Sequence, residues 1–214
     1  MKVVAASRIG IVIAALTAVA GALPARAPEA PARTLEIDSA ETRVDFDITA
    51  LWVLRRRGEF RDLNGTLTVT PDGKSAQIDV RIRVASVHMA NPDHVELLLS
   101  PAFFDAAQHP WIKFRSEPFA LSTHARLALP GTLSVRGIRR KVRFTVDTRQ
   151  CRVEQLDRCR VLVSGILKRS RFGMTEYHRT LADEVRLRIA ATVSGAKPAD
   201  VPLGAPPAGP PELP

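Results

Sequence analysis

The chain has 214 residues, of which 45% are hydrophobic and 25% are charged, a balance that is ordinary for a soluble globular protein. Its net charge of +9 does not indicate a nucleic-acid partner, because the cations are spread over many alternating positions and form no dedicated patch. Scattered cations still attract polyanions, so a peripheral contact with an anionic membrane surface is the interaction we expect of this charge. The alternating cations include Arg81, Arg83, Arg139, Lys141, Arg143, Arg186 and Arg188.

Residues 1–27 have the pattern of a secretory signal peptide. Lys2 and Arg8 accompany an apolar run from Ile9 to Leu23, and Ala25-Arg26-Ala27 then offers an A-x-A cleavage site. The run is short for a bilayer span, and an uncleaved membrane anchor is the alternative interpretation. We therefore predict cleavage near Ala27 and a periplasmic or secreted protein.

Composition also sets the expected domain boundaries. Residues 28–33 form a Pro/Ala-rich linker, and the folded domain is predicted over residues 34–194. Residues 195–214 are mostly Pro, Ala and Gly without periodicity, which predicts a disordered tail.

Within the predicted domain the dominant hydrophobic period is two, which is typical of strands with one wet and one dry face. Turn residues separate several of these strands, at Asn64-Gly65, Pro71-Asp72-Gly73 and Pro130-Gly131. The predicted strands lie within 43–48, 66–70, 77–84, 112–116, 125–129, 132–135, 141–146, 161–168 and 184–189. Many short strands predict an all-β sandwich or barrel, and a barrel of about eight strands either fills itself or holds one small ligand.

A short helical pattern interrupts the strands. Residues 93–99 carry apolar side chains at helical spacing, Pro92 suits the first helical turn, and Asn91 is a natural N-cap. A second short helical segment is indicated at 101–104.

The chain has two cysteines, Cys151 and Cys159, which flank a polar stretch between two predicted strands. An exported chain permits a disulfide, and closing so short a loop stabilises a fold by roughly 2.5 kcal/mol. Two free thiols or a metal pair are the alternatives, although no third ligand at a suitable spacing supports zinc. We predict a disulfide that staples a hairpin.

Five short motifs follow one another between Ser39 and Val185. They comprise an opening strand and G-x-F turn with Phe46, Arg57, Gly58 and Phe60; Ser100, Phe103, Phe104, Asp105, Pro110 and Phe114; Gly131, Leu133, Arg136, Gly137 and Val142; Arg169, Phe172, Gly173 and Met174; and Asp183, Glu184 and Val185. In this order the motifs resemble the signature of the YceI family of periplasmic, lipocalin-like proteins. The resemblance covers nearly all of residues 34–194.

This resemblance implies an all-β fold, an elongated antiparallel eight-stranded lipocalin-like barrel with one or two short helices near its mouth. It also implies a long apolar tunnel for an isoprenoid tail, such as that of a quinone or polyprenyl lipid. We therefore predict an exported, non-catalytic carrier of such a lipid, with no further cofactor. The alternatives are an enzyme acting on an isoprenoid or quinone substrate and a stress-related interaction module with a filled barrel.

Ten aromatic and aliphatic side chains are the candidate ligand contacts. They are Phe46, Trp52, Phe60, Leu99, Phe103, Phe104, Phe114, Phe144, Phe172 and Met174. Trp52, in an apolar segment just after a strand, is interpreted either as a lid over the mouth of the cavity or as ordinary packing. Methionine adapts to irregular apolar shapes, which suits a lipid tail and also suits any core.

The charged residues do not assemble into a catalytic or metal site. Neither H-E-x-x-H nor G-x-S-x-G occurs, and Asp183 and Glu184 face opposite sides of a strand. Arg55, Arg56 and Arg57 form the sharpest cluster, interpreted either as a contact for phosphate or anionic lipid or as a solvated turn.

Overall fold

The computed structural model describes residues 32–122, 125–149, 151 and 159–194. The predicted signal peptide, most of the predicted linker and the predicted tail lie outside these residues. Twelve strands occur in the described part of the chain. They are β1 (Arg33–Ile37), β2 (Arg43–Ala50), β3 (Leu54–Phe60), β4 (Leu63–Val69), β5 (Ser75–Arg83), β6 (Val87–Met89), β7 (Trp111–Ser116), β8 (Phe119–Ala120), β9 (Arg126–Val135), β10 (Ile138–Asp147), β11 (Arg160–Lys168) and β12 (Leu181–Ser194). The helix α1 spans Pro92–Leu99, and single 3-10 turns span Val84–Ser86 and Arg169–Phe172.

Eight of the strands close into an antiparallel barrel. The ring runs β1, β4, β5, β7, β9, β10, β11 and β12, and it closes where β1 pairs with β12 at Ile37 opposite Val193. The predicted eight-stranded barrel with a short helix is therefore confirmed. Its first strand begins at Arg33, one residue before the boundary expected from the sequence.

β12 is the longest strand and runs from one end of the barrel to the other. Its first residue, Leu181, lies opposite Ala50 beside the β2–β3 turn, and Thr192 near its other end lies opposite Arg160. We call these the hairpin end and the disulfide end, because Cys159 directly precedes Arg160 and is bonded to Cys151. β2, β3 and β6 extend the sheet from β12 toward the hairpin end, and α1 follows β6 there.

The helix forms where its capping residues predict it. The Asn91 side chain accepts a hydrogen bond from the Asp93 N–H at 2.9 Å, and Pro92 occupies the first turn. The predicted second helical segment, 101–104, is wrong. It forms tight turns instead, closed by the N–H groups of Phe103 and Asp105 donating to the Ser100 carbonyl.

Two predicted turns, Asn64-Gly65 and Pro130-Gly131, lie inside strands β4 and β9, and the G-x-F segment lies inside β3. In each case the glycine makes room for a neighbouring side chain. A Cβ on Gly65 would come within 2.7 Å of Ile37, and one on Gly131 within 2.6 Å of the Phe114 ring. Glycine here marks close approach between strands, which a pattern of turn-forming residues cannot distinguish from a turn. The third predicted turn, at 71–73, is confirmed.

Pro130 is tolerated within β9 because the neighbouring strand β7 ends before it reaches the position opposite Pro130. The Pro130 carbonyl accepts a hydrogen bond from the Glu117 N–H at 2.8 Å, so its nitrogen faces the same side. β7 has already ended at Ser116 on that side. The missing N–H therefore costs no hydrogen bond of the sheet.

Cys151 and Cys159 form a disulfide, as predicted, with their Cα atoms 5.2 Å apart. Both cysteines are buried, at the disulfide end of the barrel. The intervening residues 152–158 lie outside the described part of the chain.

The double substitution Cys151→Ser/Cys159→Ser should lower the free energy of unfolding by about 2.5 kcal/mol, since the disulfide removes loop entropy from the unfolded chain. Urea unfolding followed by circular dichroism measures this. Dithiothreitol should lower the wild-type midpoint equally and leave the variant unchanged. A wild-type midpoint that does not respond to reduction contradicts the prediction.

Candidate ligand-binding cavity

The barrel encloses a cavity of about 590 Å³. Its wall is built from the dry face of the alternating strands, as β2 illustrates. Val44, Phe46 and Ile48 line the cavity, whereas Asp45 and Asp47 between them point to the outer face. The pattern of one apolar and one charged face therefore produces a hollow, apolar interior.

The cavity is elongated and follows β12 from Leu181 to Val193, a distance of roughly 40 Å at about 3.3 Å per residue. Alternate residues of that strand contribute to the wall, namely Leu181, Val185, Leu187, Ile189, Ala191 and Val193. Leu51 and Thr180 line it at the hairpin end, and Cys151 and Cys159 line it at the disulfide end. A volume of about 590 Å³ spread over this distance describes a channel for an extended chain.

The structure brings eight of the ten candidate ligand contacts to the cavity wall. These eight are Phe46, Phe60, Phe103, Phe104, Phe114, Phe144, Phe172 and Met174. Trp52 and Leu99 lie elsewhere. Trp52 projects from the β2–β3 turn into solvent, and Leu99 packs against the core at the end of α1. For the eight wall residues, contact with a ligand stays a prediction.

The phenylalanines of the wall contact one another across strands. The ring centroids of Phe114 and Phe144 are 5.1 Å apart, edge to face, and those of Phe46 and Phe60 are 5.5 Å apart. Phe104 packs edge to face on Phe60 at 5.7 Å. These contacts hold the rings against the wall.

Polar side chains enter the cavity wall at the hairpin end. Arg56, His94, Tyr177 and Thr180 line it there, and the Tyr177 ring stacks on Phe103 at a centroid distance of 5.8 Å. Sequence reasoning missed them as a group, because they come from β3, α1 and a loop. The period of two does assign Arg56 to the inner face, since it lies four residues before the inward Phe60.

Arg169 holds the loop that borders this end. Its buried guanidinium donates hydrogen bonds to the carbonyls of Met174 at 2.5 Å, Glu176 at 2.6 Å and Ala182 at 3.1 Å, and also to Leu181. Burial lowers the pKa of Arg169. The motif arginine thus satisfies four backbone carbonyls between residues 174 and 182.

Asp183 is fixed beside this arginine. Ser170 donates to its carboxylate through both its N–H and its Oγ, each at 2.8 Å. Burial raises the pKa of Asp183, but the two hydrogen bonds and the charge of Arg169 outweigh it, so the pKa lies below its usual value. Asp183 therefore anchors the 3-10 turn at Arg169–Phe172 to the first residues of β12.

The wall carries no carboxylate within the described part of the chain. Residues 32–122, 125–149, 151 and 159–194 contain no group of three or more His, Cys, Asp or Glu side chains suited to a metal ion. Among the same residues, no helix is long and apolar enough to span a bilayer. The cavity offers apolar surface, with Arg56, His94 and Tyr177 at the hairpin end and a few hydroxyl groups at both ends.

Comparison with known proteins gives one family and several similar folds. A family model described as a YceI-like domain matches residues 35–193. No curated protein matches the chain at a significant level.

The solved structures that resemble this barrel are distant in sequence. Burkholderia cenocepacia BcnA is 20% identical, with a TM-score of 0.64, and the match covers 74% of this chain and 99% of that one. A polyisoprenoid binding domain from Saccharophagus degradans is 11% identical, with a TM-score of 0.56, covering 76% and 98%. The Campylobacter jejuni YCEI protein is 22% identical, with a TM-score of 0.55, covering 65% and 85%. At these identities the likeness shows the fold.

The substitution Asp183→Asn should lower the free energy of unfolding by about 1 kcal/mol at pH 7, because Ser170 then donates to a neutral group. The folded-state pKa of Asp183 is below its usual value of 3.8. Its stabilisation is therefore present above that pH and lost as the pH falls through the folded-state pKa. Urea unfolding at pH 7, 5 and 3 should show that the free energies of unfolding of the wild type and the variant converge at low pH.

Glu184→Gln is the matched control, since Glu184 lies on the opposite face of β12 with its side chain exposed. It should show no such convergence. If the difference in free energy of unfolding between Asp183→Asn and the wild type stays constant from pH 7 to pH 3, the stabilising role of the Asp183 carboxylate is contradicted.

Proposed function

Because the chain belongs to the YceI-like domain family, we propose that it is a carrier that holds a long apolar lipid of the isoprenoid class inside its barrel. One observation carries this proposal, the narrow apolar channel that follows β12 from the hairpin end to the disulfide end. A round pocket of the same volume would favour a compact ligand. A channel favours an extended, unbranched or methyl-branched chain.

The wall chemistry supports a lipid tail. Enclosed volumes of roughly 300–1,000 Å³ with mainly apolar walls are typical of small-molecule sites. Each buried methylene contributes about 0.8 kcal/mol of transfer free energy, so a long tail binds tightly without directional contacts. One of the similar folds is named as a polyisoprenoid binding domain, which is the same ligand class.

The polarity of the wall orients the ligand. Basic and phenolic groups of the wall, Arg56, His94 and Tyr177 among them, lie at the hairpin end. Within the described part of the chain, the disulfide end carries only hydroxyl groups among its polar lining residues, those of Thr42, Ser122 and Thr148. A polar head group meets hydrogen-bond donors at the hairpin end, and the tail extends toward Cys151 and Cys159. A tail-first orientation also avoids burying the head group without partners.

Non-catalytic binding is part of the proposal. An acid/base pair needs two titratable groups of suitable chemistry at one place, and in the described part of the wall His94 faces no carboxylate. A filled-barrel interaction module is less well supported, because the interior is hollow.

An exported location is also part of the proposal. Disulfides persist in oxidising compartments, and Cys151 and Cys159 are bonded. We further propose that residues 1–27 are removed near Ala27, that 28–33 act as a linker, that 34–194 form the carrier domain and that 195–214 form a tail.

The proposal predicts that protein purified from its native host carries a long-chain isoprenoid. Extraction with organic solvent and mass spectrometry identify it. Protein that is repeatedly empty, and that does not take up a long-chain isoprenoid alcohol in vitro, contradicts the proposal.

A tunnel-filling variant tests the channel itself. Leu187→Trp places a large ring in the cavity wall, beside Phe46, which is the partner of Leu187 on the adjacent strand β2. Displacing about three methylene groups of tail costs roughly 2.4 kcal/mol, which weakens binding about fiftyfold. Arg186→Trp adds the same ring on the outer face and should leave binding unchanged. Equal lipid occupancy in both variants, at unchanged melting temperature, contradicts the channel.

A further inference from the structure

The β2–β3 turn exposes four consecutive apolar residues, which we call the docking tip. The exposed fractions are 52% for Leu51, 84% for Trp52, 81% for Val53 and 40% for Leu54. Single exposed leucines are common on protein surfaces. A continuous exposed apolar segment with a tryptophan at its apex is uncommon, and such segments mark sites of interaction.

The backbone of the docking tip is strained for the residues it carries. Leu51 has φ 46° and Trp52 has φ 67°, in a turn closed by the Val53 N–H donating to the Ala50 carbonyl. Two successive positive φ values are the requirement that Asn-Gly meets most readily. Leucine and tryptophan adopt them at a cost, and the Trp52 side chain gains almost no burial in return. Folding alone does not account for these residues.

Cations surround the docking tip. Arg55, Arg56 and Arg57 follow it directly, are exposed, and make no side-chain hydrogen bond or ion pair within the described residues. The Leu51 N–H donates to the Thr180 carbonyl at 2.7 Å, which brings the loop carrying exposed Arg179 alongside. Glu176 is the acidic residue of that loop, so the residues that flank the tip on β3 and on this loop carry more cations than anions.

We propose that the docking tip inserts into the interfacial region of a bilayer that contains anionic phospholipid. Tryptophan and leucine at the apex match the apolar part of the interface, and the arginines behind them match its negatively charged head groups. The segment projects as a narrow turn and forms no groove, so its shape suits a fluid lipid surface better than a shaped protein partner.

Docking by this segment brings the channel to the membrane. Leu51 and Arg56 belong both to the tip region and to the cavity wall, so the hairpin end of the channel lies at the bilayer when the tip is inserted. Under the proposed carrier function, this position lets a lipid tail pass between bilayer and barrel without crossing water. This inference goes beyond the proposed function and does not depend on it.

Fluorescence of Trp52 in the full chain tests the insertion. The chain has two tryptophans, so Trp111→Phe leaves Trp52 as the reporter and keeps a ring beneath the Arg83 guanidinium, which lies 4.8 Å from the Trp111 ring. Vesicles of phosphatidylcholine with phosphatidylglycerol should shift its emission to the blue, and brominated lipids should quench it. Emission that responds to no vesicle composition overturns the inference, and leaves the tip as a contact for another protein.

Charge variants separate the docking tip from general attraction by net charge. Arg55→Gln/Arg56→Gln/Arg57→Gln should weaken vesicle binding at least tenfold. Arg81→Gln/Lys113→Gln/Arg143→Gln removes the same charge from exposed outer positions of β5, β7 and β10, and should change binding little. Equal losses in the two triple variants overturn the role of the tip arginines.

A third variant excludes unfolding as the cause of any loss. Leu51→Asn/Trp52→Gly places at these two positions residues that adopt positive φ with little strain. The variant should therefore have a higher melting temperature, and its full chain should no longer bind vesicles. A more stable variant that still binds vesicles as the wild type does overturns the inference.

The outcomes also separate this inference from the carrier function. Lipid recovered from a protein whose Trp52 never inserts contradicts docking and supports the carrier. Insertion by a protein that never holds a lipid supports docking and contradicts the carrier.

Discussion

The closure of the sheet through β12 is the constraint on which the rest of the structure depends. This strand has 14 residues, pairs with β11 over most of its length, with β2 over its first part and with β1 at its end. Backbone groups that would otherwise form an open edge are paired, and edges are where sheets aggregate. Closure also decides that one face of every strand is enclosed. An alternating sequence then becomes a wall, with charges outside and apolar side chains around a lumen.

A closed barrel of this size fills itself unless its large side chains are held aside. Glycines opposite the phenylalanine rings hold them aside here. The ring of Phe144 lies over Gly165, that of Phe114 over Gly131, and that of Phe46 over Gly58. Each ring lies flat along a neighbouring backbone where another residue would place a Cβ. The rings contribute apolar surface to the wall while the lumen stays open, which accounts for a channel lined by aromatic residues.

The two ends of the barrel differ, and the difference gives the channel a direction. The disulfide end is held by Cys151 and Cys159. The hairpin end carries cavity-lining Arg56 and His94, the loop held by Arg169, and an exposed apolar turn. The basic and phenolic groups of the wall lie at the same end as the exposed apolar turn. The hairpin end therefore suits the polar head group of a ligand, and it also suits a bilayer surface, which has polar and apolar layers.

The sequence by itself predicted the strand-rich fold, the helix capped by Asn91, the disulfide and eight side chains that line the cavity, because these follow from local spacing and composition. The predicted turns at 64–65 and 130–131 were wrong, because the sequence does not distinguish a glycine that makes room for the Phe114 ring from a glycine that turns the chain. Only the tertiary structure decided that the barrel is hollow, which depends on where each ring packs. It also brought Arg56, His94 and Tyr177 from separate elements to one end, because side chains distant in the chain become neighbours only when the sheet closes.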